Sequence, residues 1–198
     1  MKKGFWIGLF VVVGIAVMAS TFVGLIYNRL VGGEEQVKSA WAQVENVYQR
    51  RLDLIPNLVE TVKGYAAREK STLEGVVEAR SKISQINLPP GVFNDPQALT
   101  KFEQAQQGLS SALSRLLVVI EQYPDLKANQ NFLALQSQLE GTENRISVER
   151  RRFNDVAREF NTLIRVFPNN FVARWSGFQM KSYFAADEGA RTAPKVKF

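Results

Sequence analysis

Residues 5–27, FWIGLFVVVGIAVMASTFVGLIY, contain no charged side chain, and Lys2 and Lys3 precede them. At about 1.5 Å per residue, such a run makes a helix roughly 34 Å long, enough to cross a hydrocarbon core of about 30 Å. A cleavable signal peptide is the competing reading, since Val17-Met18-Ala19 could suit a signal peptidase. The apolar run continues past that point through Thr21 to Tyr27, whereas a secretory core covers about 7 to 15 residues, so an uncleaved anchor is expected. From Glu34 onward the period changes to that of amphipathic helices, with almost no strand-like alternation.

Four apolar faces follow. In the first, Val37, Trp41, Val44, Tyr48 and Leu52 step by three or four positions. The second carries Leu54, Leu58, Val62, Tyr65, Leu73, Val76, Ile83 and Ile86, and stops at Leu88-Pro89-Pro90-Gly91. Asp95 before Pro96 predicts a capped start for the third, which runs through Leu99, Phe102, Leu109, Leu113, Leu116 and Ile120 to Tyr123-Pro124. The fourth holds a seven-residue repeat from Phe132 to Phe167. Four such faces predict an all-α chain: an N-terminal transmembrane helix followed by an elongated antiparallel four-helix bundle.

Pro56 governs the path of the chain. With Leu52-Asp53-Leu54-Ile55 as a tight turn, Asp53 caps the second helix and Pro56 falls in its first turn, where the missing amide hydrogen is tolerated. The alternative is one long helix kinked at Pro56, which would invert everything downstream. The turn is the reading adopted: helix one leaves the membrane, two returns, three leaves and four returns. The expected organisation is a short flank at 1–4, the anchor at 5–27, a juxtamembrane linker at 28–35 hinged at Gly32-Gly33, the bundle at 36–167, an aromatic membrane-near segment at 168–184 and a disordered basic tail at 185–198.

The chain has 198 residues without Cys or His, which removes disulfides, thiolate nucleophiles, imidazole bases and the usual zinc ligands. No catalytic, cofactor or metal residues are expected. The formal charge of +6 comes from 25 basic residues interspersed with 19 acidic ones, without a nucleic-acid motif, so a lipid bilayer is the expected acidic partner. Gly4 and Gly8, with Ala16, Ser20 and Gly24 on a four-residue stripe, suit close packing of membrane helices and hence a homo-oligomer, or reflect only how common small residues are there.

Two ends of the bundle differ in character. Near the membrane, Phe171, Arg174, Trp175, Phe178, Lys181, Tyr183 and Phe184 combine rings with positive charge, which suits a headgroup interface; the alternative is a hydrophobic plug over the bundle end. At the distal tip, Arg50, Arg51, Asp53, Asn57, Tyr123, Asp125, Lys127 and Asn129 are expected on exposed turns. Singly they read as caps and turn residues, and together as a docking surface for a protein. Thr142 and Glu149 occupy seam positions of the fourth helix, with Gln138 and Asn161 close by, and should meet polar groups on neighbouring helices to set register. The slight excess of positive charge before the span favours a cytoplasmic N-terminus with the bundle outside.

The stretches from Tyr27 to Ala66 and from Tyr123 to Pro168, with Ser182-Tyr183-Phe184 at the close, resemble the LemA family of bacterial membrane-anchored helical proteins. The resemblance implies an N-terminal anchor before an antiparallel helical bundle, no established enzyme activity, and association with membrane or envelope proteins. It therefore points to a non-enzymatic scaffold or adaptor in the bacterial cytoplasmic (inner) membrane. Other readings are an oligomeric membrane-shaping protein and a ligand-sensing helical domain.

Overall fold

The structure, a computed structural model, describes residues 2–66, 68–86 and 91–185, and among them forms helices and no strands. Helix α1 is Lys2–Tyr65, α2 Lys70–Ser84, α3 Pro96–Ile120, α4 Pro124–Lys127, α5 Gln130–Leu163 and α6 Asn169–Trp175, with a 3-10 turn at Val92–Asn94. Asp95 accepts from the Gln97 amide at 2.8 Å, and Asn129 accepts from the Phe132 amide at 3.0 Å, so α3 and α5 start on side-chain caps. The expected tail at 186–198 lies outside the described residues.

The 64 residues of α1 run without interruption from the apolar span into the bundle. This overturns two expectations. Residues 28–35 are helical, with no hinge at Gly32-Gly33, and Gly33 lies where a Cβ would sit 3.1 Å from Phe160 and 3.2 Å from Leu163. Pro56 stands inside the helix. Proline cannot donate to the carbonyl four residues back, and an orphaned interior carbonyl is costly. Here the Leu52 carbonyl accepts instead from Arg80 Nε of α2 at 3.1 Å, so the helix passes through the proline with that group satisfied.

The chain reverses at residues 66–69, where the Ala66 amide donates to the Val62 carbonyl at 2.8 Å and the Glu69 amide to the Ala66 carbonyl at 3.0 Å. Direction is therefore restored later than expected, at Ala66–Glu69 and not at Leu52–Ile55. Helix α5 returns antiparallel along α1, and α2 lies along α3. The apolar interior falls into two clusters. The one nearer the span centres on Trp41, Phe102, Phe153, Phe160 and Phe184. The distal one holds Ile55, Leu58, Val62, Leu109, Leu116 and Leu126.

Beyond α6 the chain turns at Gly177 (φ +78°), a left-handed backbone that favours glycine, and continues extended from Phe178 to Ala185 along α5. Asn161 clasps this strap by donating to the Lys181 carbonyl at 2.8 Å and accepting from the Lys181 amide at 2.7 Å. Two turns earlier on α5, Asn154 does the same for Phe184, at 3.0 and 2.9 Å. A strap without a neighbouring strand must find partners for its backbone, and two asparagines seven residues apart on one helix face supply them.

Candidate functional sites

Three regions carry polar or amphipathic groups beyond what the core requires. The first is a layer between the two apolar clusters. Arg51, expected at the tip, lies mid-helix on α1 and is 2% exposed. It donates from Nη1 to Ser110 Oγ at 3.0 Å and Glu143 Oε2 at 2.8 Å, and from Nη2 to the Gln106 carbonyl at 3.2 Å and to Gln106 Oε1. Its guanidinium also lies 5.3 Å from the Tyr48 ring centre. Here α3 and α5 stand apart over α1, and the space between them is a cleft of about 410 Å³. Tyr48 borders it, and desolvation pushes the Tyr48 hydroxyl pKa up.

The second region is the distal tip. Because α1 extends to Tyr65, Arg50, Arg51, Asp53 and Asn57 lie on the shaft, with Asp53 accepting from Gln49 at 2.7 Å. Their assignment to the tip is corrected: the turn expected at Pro56 is absent, and Tyr65 and Glu69 stand there instead. Tyr123, Asp125, Lys127 and Asn129 do sit at this end. Tyr123 Oη donates to Glu69 at 2.8 Å, which raises its pKa, and Asn129 donates to Tyr65 Oη at 2.9 Å. Asp125 and Asn129 line a shallow hollow with Tyr65 and Asn131.

The third region is α6. It packs beside the apolar span itself, sharing a hollow formed by Ala19, Ser20 and Val23 with Phe171, Val172 and Trp175. Phe167, Phe171 and Trp175 are exposed, the last at 84%, and Arg174 is exposed with them. Other members of the expected membrane-facing set are turned inward. Phe184 stacks on Trp41 with ring centres 5.7 Å apart, and Phe178 is half-buried against Tyr27 and Phe160. Tyr183 is an exception: it remains exposed, and accepts from Asn161 Nδ2 at 2.8 Å. Lys181 is buried, its Nζ donating to Glu34 Oε1 at 2.6 Å and Asn94 Oδ1 at 2.9 Å and lying 5.0 Å from the Phe160 ring centre. A lysine closing a strap onto α1 is not available to a headgroup.

The seam residues also depart from expectation. Thr142 is buried but donates to the Gln138 carbonyl one turn back on its own helix at 2.7 Å, and Gln138 is exposed. Glu149 is half-buried, 3.8 Å from Arg152 on the same helix. Arg51 is a polar group that does tie helices together, joining α1 to α3 and α5. An arginine flanked by Arg50 and Asp53 reads as surface, and the signal against that is its place one step from Leu52 on the first apolar face. In the span, a Cβ added at Gly8 or Gly24 would meet open space, and Ala16 and Ser20 are exposed; the surroundings of Gly4 lie outside the described residues.

An apolar N-terminal helix long enough to cross a membrane, continuous with a helical body, defines a membrane-associated all-α protein. The sequence model of the LemA family matches residues 40–198, and the chain belongs to that family. The match begins inside α1, so it covers the body and not the span. Among curated relatives, Protein LemA of Metamycoplasma hominis is 27% identical over 188 residues, which are 95% of this chain and 81% of the relative. Magnetosome protein MamQ of Magnetospirillum gryphiswaldense is 28% identical over 174 residues, 80% of this chain. Magnetosome protein MamQ 2 of Paramagnetospirillum magneticum is 29% identical over the same length, and the chain spans 64% of each MamQ protein.

Proposed function

We propose that this protein is a non-enzymatic, single-pass scaffold of the bacterial cytoplasmic membrane, its body on the outer side, presenting a rigid helical surface to membrane or envelope proteins. The observation that carries this is the continuity of α1 from Lys2 to Tyr65. A hinged linker would let the body tumble, whereas one helix sets the height and orientation of everything attached to it. From Asn28 to Tyr65 the shaft extends about 57 Å at 1.5 Å per residue, which holds the distal tip well clear of the bilayer. Polar groups on short turns over a stiff support suit recognition, and Asp125, Lys127 and Asn129 with Tyr65 are the surface assigned to it.

The test is a photo-crosslinking amino acid at Lys127 or Asp125 in native membranes. A discrete adduct with one membrane or envelope protein, absent when the same probe replaces the exposed Val148 midway along α5, is expected. No adduct, or the same adducts from both positions, defeats the proposal. Sidedness is tested by labelling Gln130→Cys with an impermeant maleimide in intact cells.

The position of α6 favours a second reading, a protein that shapes the bilayer. Its contact with Ala19 and Val23 lies four to eight residues before Tyr27, about 6–12 Å at 1.5 Å per residue, and supports a reading in which Phe171 and Trp175 lie in the membrane interface. A wedge on one side of the span expands one leaflet. Full-length protein in liposomes should deform them, and the double substitution of Phe171 and Trp175 by Ala should abolish this; undeformed liposomes would remove the reading.

A further inference from the structure

A groove of about 720 Å³ lies between α1 and α5 just beyond the apolar span, with Arg29, Gly32 and Gly33 on one side and Leu163 and Val166 on the other. The two glycines are not a hinge, and packing explains only one of them. A Cβ at Gly33 would press on Phe160 and Leu163, whereas a Cβ at Gly32 would meet nothing within 4 Å. Glycine inside a continuous helix weakens it relative to almost any residue except proline. What glycine achieves at position 32 is an open groove, since a longer side chain there would fill it.

Charge and depth together decide the occupant. At this end of the body Lys181 is held by Glu34, Lys38 by Glu35 and Arg158 by Asp155. The exposed side chains of Arg29, Arg165 and Arg174 have no ion-pair partner among the described residues, against the unpaired carboxylate of Glu159. The surplus is therefore positive, and Arg29 brings it into the groove. Glu159, one turn before Leu163 on the returning α5, lies on the side away from the bilayer. With residues 5–27 as the span, on which this inference rests, Arg29 stands about 3 Å and Gly32 about 8 Å past Tyr27, within a headgroup layer about 5–8 Å deep. We propose that the groove seats the headgroup of an anionic phospholipid, with its phosphate on Arg29, its glycerol and first acyl carbons against Leu163 and Val166, and its chains beside the span. A soluble anion would gain nothing from the apolar wall, whereas a lipid uses both the charge and the wall.

The experiment is native mass spectrometry of full-length protein in detergent micelles, incubated with equimolar dioleoyl phosphatidylglycerol and dioleoyl phosphatidylcholine, with inorganic phosphate and glycerol 3-phosphate as soluble competitors. One phosphatidylglycerol per chain should be retained in preference to phosphatidylcholine by about tenfold or more, and neither competitor should displace it. Arg29→Gln and Gly32→Leu should each bring the two lipids close to parity, the second without lowering the melting temperature because leucine is the better helix former. Arg174→Gln removes the same charge outside the groove and should leave the preference unchanged. Equal retention of the two lipids, displacement by phosphate, an unaltered preference in either groove variant, or the same loss in Arg174→Gln overturns the proposal. Flotation with liposomes of phosphatidylcholine alone checks the anchor separately: every variant should float, and an unaltered protein that does not would remove the span on which the inference rests.

Discussion

Arg80 donates its Nε–H to the carbonyl of Leu52 at 3.1 Å, and Leu52 is the residue whose helical partner would have been the amide that Pro56 lacks. One side chain from α2 thus repairs the single broken rung of α1. A helix carrying a proline can remain continuous when the freed carbonyl finds another donor, and a charged donor is among the stronger ones.

The repair predicts an energetic coupling. Arg80→Met should destabilise the body by roughly 1–2 kcal/mol, the loss of a charge-assisted hydrogen bond at a partly buried site. In a Pro56→Ala background the new amide can serve Leu52, so the same substitution should cost about 1 kcal/mol less. Urea unfolding of the four proteins of this cycle measures the difference, and strict additivity would show that Arg80 plays no such part.

Trp41 is the hub of the cluster nearer the span, with ring centres of Phe93, Phe102, Phe153 and Phe184 all within 5.9 Å. These rings come from α3, α5, the 3-10 turn and the strap. Trp41→Ala should cost about 3–5 kcal/mol by cavity formation and lost burial. Denaturant unfolding followed by circular dichroism would register this as an earlier midpoint.

The strap depends on two amides. Asn161→Leu removes both the donor and the acceptor that Lys181 uses, leaving its buried backbone groups unpaired, at a cost of about 2 kcal/mol. Hydrogen exchange should accelerate at the amides of residues 181–184 more than at those of α2 and α3. Uniform acceleration would mean that the strap is not a separate opening unit.

Alkaline pH should loosen the distal tip. Hydrogen bonding of Tyr123 to Glu69 raises its pKa above 10.0, so the folded state holds this proton more tightly than the unfolded state. That contribution is complete below the unfolded value and is lost as pH rises from there through the raised folded value. Tyr48 shifts the same way because it is desolvated. Stability measured against pH should fall above about pH 10, and Tyr123→Phe should make the fall shallower; an identical slope in the variant would contradict the assignment.

Local chemistry made much of this protein readable in advance. An uncharged run from Phe5 to Tyr27 admits little besides a membrane-length helix, since each unpaired backbone group in lipid is costly. Helical periodicity without alternation excluded sheets, and Asp95 before Pro96 marked the start of α3 because cap and proline act within one turn. Pro56 shows where that legibility ends: the sequence offers a turn or a through-going helix, and the through-going helix has its freed Leu52 carbonyl satisfied by Arg80, 28 residues from Leu52. The same applies to the site residues. Arg51 and Lys181 look like surface cations in any short window, because a charged residue is buried only where distant partners compensate it.

The chain's own pattern of apolar and polar positions determined that it is helical, that one segment is fit to span a bilayer, and which faces seek burial, since these follow from period and local backbone chemistry. Tertiary structure alone decided that α1 is continuous, that Lys181 closes a strap onto Glu34, and that Arg51 lies under a cleft between α3 and α5. Each depends on groups far apart in sequence meeting at hydrogen-bonding distance, and no local pattern encodes such a meeting.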